Sequence, residues 1–177
     1  ALSMASRVAS SKGKAAIQWR GGGSFAMGFG MWSMHFIVML AFSLPIPLGY
    51  DLTLTLISLL IAIASSMVAL WVVCQTDLPV KRLVLGALLM GLGVASMHYL
   101  GMEAMLMRQR IVYDPWLFAL SIVVAVSAAG AAIWIAFRLR GGNGRGLTGI
   151  GASLIMGCAI VGMHYTGMAA AHFPHGS

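Results

Sequence analysis

The charged residues of this chain are separated by long uncharged runs, a pattern that few folds tolerate. Arg20 to Asp51 encloses 30 uncharged residues, Asp51 to Asp77 25, Arg82 to Glu103 20 and Asp114 to Arg138 23. No Asp, Glu, Lys or Arg follows Arg145. A helix needs roughly 20 predominantly apolar residues to cross a bilayer, so each run is long enough. Composition agrees: 8% of the 177 residues are charged, 60% are hydrophobic, and mean hydropathy is +0.92. A soluble domain carries about 25% charged residues, and a chain this poor in charge could not cover a water-facing surface. The runs lack the strict alternation of barrel strands. The net charge of +7 comes from short basic clusters between apolar runs. Such clusters are typical of loops beside a membrane, and they exclude a soluble enzyme or a nucleic-acid-binding domain as the main reading.

The expected fold class is therefore all-α: a polytopic transmembrane helix bundle, with spans near 23–44, 52–74, 83–107, 116–138 and 147–171. Turn signals separate them at Pro45, Pro47 and Gly49, at Pro79, at Pro115 and along Gly141–Gly142–Asn143–Gly144. Residues 1–8 read as the tail of a truncated first helix, without the charged start and apolar core of a signal peptide. Cys74 and Cys158 show no CxxC spacing, so neither a disulfide framework nor a zinc site is expected. Arg7, Lys12, Lys14, Arg20, Lys81, Arg82, Arg138, Arg140 and Arg145 fall on one side of the spans, and Arg108 and Arg110 on the other. That bias places the nine in the cytoplasm.

A repeat carries the functional information. Met34-His35-Phe36 lies 63 residues before Met97-His98-Tyr99, which lies 66 before Met163-His164-Tyr165. The lead-ins Phe25-Ala26-Met27-Gly28, Leu88-Leu89-Met90-Gly91 and Leu154-Ile155-Met156-Gly157 recur as well. Each histidine is followed four residues later by Met39, Met102 or Met168, and Tyr50-Asp51 and Tyr113-Asp114 each precede a serine, Ser58 or Ser121. The unit is a helix pair, and such repeats place equivalent helices around a common axis.

At about 100° per residue, and with Met27, Met90 or Met156 at zero, the second methionine falls near −20°, the histidine near 80° and the last methionine near 120°. One arc thus displays thioethers and an imidazole, and the histidine and last methionine, at i and i+4, are neighbours. Each helix could offer two ligands, and three helices could converge. Thioether sulfur is soft and neutral and suits Cu(I), and imidazole binds copper, zinc or iron. Zinc would more typically recruit thiolates or carboxylates, so a metal held here would be copper. The competing reading is packing: methionine fills apolar cores, and a membrane histidine can simply bond a neighbouring helix.

Other residues have plainer accounts. Gly28, Gly30, Gly91, Gly93, Gly157, Gly101 and Gly167 would let helix backbones approach. Phe36, Tyr99 and Tyr165 are either interfacial packing or partners of the site. Glu103, an acid in the second repeat alone, would reach the outer interface, supply an oxygen ligand or accept a proton. His172 and His175 lie past the last span, as tail or as an accessory metal contact.

MHFIVM (34–39), MHYLGM (97–102) and MHYTGM (163–168) resemble the threefold motif of the bacterial MHYT sensor domain, and the resemblance covers nearly all of 1–177. It implies a seven-helix domain of the bacterial inner membrane, with copper near the outer, periplasmic face. It also implies sensing of a diatomic gas (oxygen, carbon monoxide or nitric oxide) and a link to an output such as cyclic-di-GMP turnover. The implied ligands are Met34, His35 and Met39; Met97, His98 and Met102; and Met163, His164 and Met168. The first motif departs in carrying Phe36 for Tyr and Val38 for Gly. By this reading the seventh helix and the cytoplasmic output domain are absent from the chain. The chain is then a sensory module in the lipid bilayer, not an enzyme, in which a gas or a redox change alters copper ligation and biases the helix packing, and whose output domain is fused elsewhere or separate. The alternatives are a copper or proton transport path and a haem protein with two histidine ligands.

Overall fold

The computed structural model describes residues 13–41, 49–106, 111–139 and 147–172. Five helices account for most of them: α1 (Gly13–Ala41), α2 (Leu52–Val73), α3 (Val80–Glu103), α4 (Pro115–Leu139) and α5 (Leu147–Ala170). Among the described residues, α1 to α4 are long and apolar enough to cross a membrane. The expected truncated helix over 1–8 lies outside the described residues, as do Arg7, Lys12, Pro45, Pro47, Arg108, Arg110, Arg140, Gly141 to Gly144, Arg145 and His175.

The spans sit close to where charge spacing puts them, with two instructive differences. The first helix begins ten residues earlier than expected, at Gly13 rather than 23. Arg20 lies within it but is exposed, so a charge marks where apolar surface ends and not where the helix ends. The third stops at Glu103, short of 107, because Met105–Leu106 turns into a strand.

Four two-residue strands tie the helix ends together: β1 (Gly49–Tyr50), β2 (Met105–Leu106), β3 (Val112–Tyr113) and β4 (Ala171–His172). β1 pairs antiparallel with β2, Tyr50 opposite Met105, and β3 pairs antiparallel with β4, Tyr113 opposite Ala171. Next to each ladder the Asp51 N–H donates to the Ala104 carbonyl at 2.7 Å, and the Asp114 N–H donates to the Ala170 carbonyl at 2.8 Å. The same two aspartates then cap the following helices. Asp51 Oδ1 accepts from the Leu54 N–H, and Asp114 Oδ1 from the Trp116 and Leu117 N–H groups, each at 2.9 Å, satisfying amides with no partner in the helix. The Tyr-Asp recurrence is thus the sequence trace of a repeated staple and cap.

Packing follows chain order: α1 on α2, α2 on α3, α3 on α4 and α4 on α5, with further contacts of α1 to α3, α2 to α4 and α3 to α5. The interior is rich in small residues such as Ala62, Ser65, Ser66, Ala69, Ala125 and Ala129, whereas Ile37, Leu40, Leu60 and Leu85 point outward. Large apolar residues facing out are costly in water and ordinary in lipid. Close backbone approach is visible at equivalent positions of two repeats. A Cβ at Gly28 would lie 2.6 Å from Ile63 Cα, and one at Gly91 2.5 Å from Val126 Cα. A Cβ at Gly93 would overlap the Ser65 hydroxyl. Gly30 and Gly157 do not share this role, since a Cβ at either meets nothing within 4 Å among the described residues.

Candidate metal centre

α1, α3 and α5 bring His35, His98 and His164 into one group whose ligand atoms lie within 4.8 Å of one another. The rings are 1%, 0% and 2% exposed. His35 Nδ1 lies 3.2 Å from His98 Nδ1 and 3.4 Å from His164 Nδ1. The ring centroids form a closed triangle with sides of 4.9, 5.0 and 5.4 Å, each pair edge-on. With two nitrogen pairs at 3.2 and 3.4 Å and all ligand atoms within 4.8 Å, a point between the three rings is close enough to each for small side-chain shifts to give metal–imidazole bonds of ~2.0 Å. Among the described residues no carboxylate or thiol joins this cluster, so its donors are neutral. The three imidazoles are of a donor type that would suit a copper ion, and they bring no negative charge of their own into the apolar interior.

The far side of each ring is also defined. The Nε2 atoms of all three histidines are buried and have no hydrogen-bond partner among the described residues. His35 rests on Gly101 of α3 and His98 on Gly167 of α5. A Cβ at either glycine would overlap Nε2 and lie 2.8 Å from Cδ2 of the ring it faces. These two glycines therefore make room for imidazoles rather than for neighbouring helix backbones. By the repeat spacing, the residue of α1 matching Gly101 is Val38, which is half-buried.

The methionines flank the histidines in two clusters. Met97 and Met163 are buried in the main core with Met90, Val94 and Ala95, with Met27 and Met31 packed against it. Met39 and Met102 share a second cluster with Met105 and Ile111, against which Met168 packs. Met34 is half-buried and belongs to neither. Along each motif helix the histidine falls between the two.

The residues after the histidines serve the helix pairs. Tyr99 OH donates at 2.6 Å to Ser121 Oγ, whose own proton goes to the Phe118 carbonyl at 2.8 Å. Phe36 has no hydroxyl, and Trp32, one turn earlier, takes over: its Nε1–H donates to Ser58 Oγ at 3.0 Å, and Ser58 donates to the Thr55 carbonyl. The recurring serines were the signal for this pair of bonds; Trp32, without a counterpart in the other repeats, gave none. Tyr165 is 63% exposed. Glu103 is exposed and accepts from Tyr113 OH at 3.0 Å. Burial, and then the negative charge of Glu103, hold the Tyr113 phenol above its ordinary range; burial raises that of Tyr50. His172 contributes its backbone to β4.

This combination of fold and site defines a multi-pass helical membrane protein built on a triplicated Met-His motif. Residues 28–86, 91–149 and 157–177 match the MHYT family, described as a bacterial signalling protein N-terminal repeat, and the chain belongs to that family. It is 67% identical over its whole length to the bifunctional diguanylate cyclase/cyclic di-GMP phosphodiesterase MucR of Pseudomonas aeruginosa, covering 26% of that protein. It is 42% identical to the cyclic di-GMP phosphodiesterase NbdA of the same organism and 37% to the signalling protein YkoW of Bacillus subtilis, with 96% and 97% of this chain aligned. The chain covers 22% of each of those two relatives. No solved structure matches it.

Proposed function

We propose that this chain is the membrane-embedded input module of a bacterial signalling protein and that His35, His98 and His164 hold copper. The observation that carries the reading is the convergence of three buried Nδ1 atoms at 3.2 and 3.4 Å, which suits one ion. It leaves no space between any two rings for a haem macrocycle, so the haem alternative draws no support from it. Met34, Met39, Met97, Met102, Met163 and Met168 stand as the thioether donors, with Met39 and Met102 in the second cluster and Met168 packed against it. Copper, when bound, supplies a redox-active centre with affinity for oxygen, carbon monoxide or nitric oxide. The chain's own residues exclude water, present neutral donors and set their spacing through Gly101 and Gly167. Signalling requires the ligand to favour one helix packing over another. The bias of nine basic residues against two supports an inner-membrane domain with the histidines in its periplasmic half. The output is a cytoplasmic domain, for which the cyclase and phosphodiesterase relatives give the type; enzymatic activity would belong to that domain and not to these helices.

The test is metal content of detergent-purified protein beside a His35→Ala, His98→Ala, His164→Ala variant of equal helix content. We expect copper in the parent, its loss in the variant, and gas-dependent spectra in the parent alone. Absence of stoichiometric copper after loading would refute the metal assignment. Copper uptake into proteoliposomes would favour a transport path.

A further inference from the structure

The opposite end of α3 carries a second feature. Lys81 lies 17 residues before His98, about 25 Å away along the helix axis. There, between α2 and α3, is a cavity of about 300 Å3. Its floor is Val72 and Gly86, both buried; a Cβ at Gly86 would lie 3.0 Å from Val72 Cγ2, so the floor cannot sink further. Its walls are apolar and face outward: Trp71 is 50%, Leu85 56% and Leu89 50% exposed. Its mouth holds Lys81 and Arg82. Arg82 is occupied, with Nη1 3.3 Å from Asp77 Oδ1 and 3.0 Å from the Asp77 carbonyl. Lys81 is exposed, and Arg82–Asp77 is the only ion pair among the described residues.

We propose that this cavity is a binding site for an anionic phospholipid, with the headgroup phosphate on Lys81 and an acyl chain laid against Leu85 and Leu89. Three observations select that occupant. The outward-facing walls lie on helices that cross the bilayer, so the molecule they meet has hydrocarbon chains. The mouth keeps one positive charge after Asp77 is matched with Arg82, which favours a headgroup of net negative charge over a zwitterion carrying its own cation. Trp71 places this level of the bundle at the membrane–water interface, where tryptophan collects. The Lys-Arg pair has no counterpart in the other repeats, where Gln18-Trp19 and Leu147-Thr148 hold the equivalent positions, so the site belongs to the second repeat alone. It depends on the membrane-spanning fold and not on the metal reading.

The experiment is native mass spectrometry of the full-length protein titrated in detergent with phosphatidylglycerol or phosphatidylcholine of matched acyl chains, and separately with inorganic phosphate. The parent should retain phosphatidylglycerol about fivefold more than phosphatidylcholine, Lys81→Gln should lose the preference, and Lys81→Arg should keep it. Arg138→Gln, which removes a charge stacked 5.3 Å over Trp134 on another helix, should leave it intact. Equal retention of the two lipids by the parent overturns the proposal. So does a preference that survives Lys81→Gln or falls equally in Arg138→Gln. Displacement of the lipid by millimolar phosphate would mean a phosphate site without an acyl component, and would overturn it too.

Discussion

Trp32 and Ser58 share a hydrogen bond of 3.0 Å that joins α1 to α2, and it replaces the one that Tyr99 and Ser121 form between α3 and α4 in the next repeat. The acceptor has stayed in place while the donor has moved back one helical turn. A buried serine that has given its own proton to a carbonyl still has a lone pair to fill, and in a bilayer no water fills it. The departure at Phe36 is therefore compensated within the same helix.

That compensation can be tested by exchange. Trp32→Phe should destabilise the bundle by about 0.6–1 kcal/mol, the range of a membrane hydrogen bond. Adding Phe36→Tyr should recover most of the loss, because a phenol at 36 matches Tyr99 in the repeat. Unfolding in mixed micelles would show it, and an additive loss in the double variant would argue against the equivalence.

The glycines behind the rings predict a separate pattern. Gly101→Ala and Gly167→Ala each push a methyl into an imidazole and should lower copper content at least severalfold while costing about 1–3 kcal/mol. Gly157→Ala, with open space around it, should change stability by less than about 0.5 kcal/mol. Metal analysis alongside unfolding separates displaced ligands from general damage.

Loss of either aspartate cap should register in the helix pairs. Asp51→Ala and Asp114→Ala each remove acceptors of first-turn amides and should cost about 1 kcal/mol. Hydrogen exchange at Leu54 or Leu117 should accelerate, with the remaining α2 or α4 amides less affected.

Tyr113 supplies a pH signature. Its phenol is raised by burial and by Glu103, so its stabilising contribution is whole below the ordinary tyrosine range near 10 and is lost as pH climbs through the folded-state value. Glu103→Gln removes the negative charge and should bring that titration to lower pH, measured by absorbance of the phenolate. A Tyr113→Phe background should abolish the shift; its persistence there would assign it to another tyrosine.

Much of this was legible in the residues. Uncharged runs located the helices, and the Met-His period located the three rings, because both reflect constraints imposed locally on each segment. The Tyr-Asp and serine recurrences were visible too, but their meaning was not. A staple from Asp51 to Ala104 joins positions 53 residues apart, and sequence gives no measure of that proximity. The division of the methionines was hidden for a similar reason. Helical angle puts Met97, His98 and Met102 on one arc, while depth along the axis assigns Met97 and Met102 to different clusters. Likewise Gly101 and Gly167 read as helix-packing residues because nothing local says that a ring from another repeat lies over them.

That last contact bears on what the three motifs can do apart. His35 is seated by α3 and His98 by α5, so at least two of the three rings take their position from a repeat other than their own. A single helix pair, with every motif letter intact, would carry an imidazole with no seat and no companions. The cluster is a property of the assembled repeats and not of any one motif: were one copy to slide relative to the next, an imidazole would lose the neighbour that supports it.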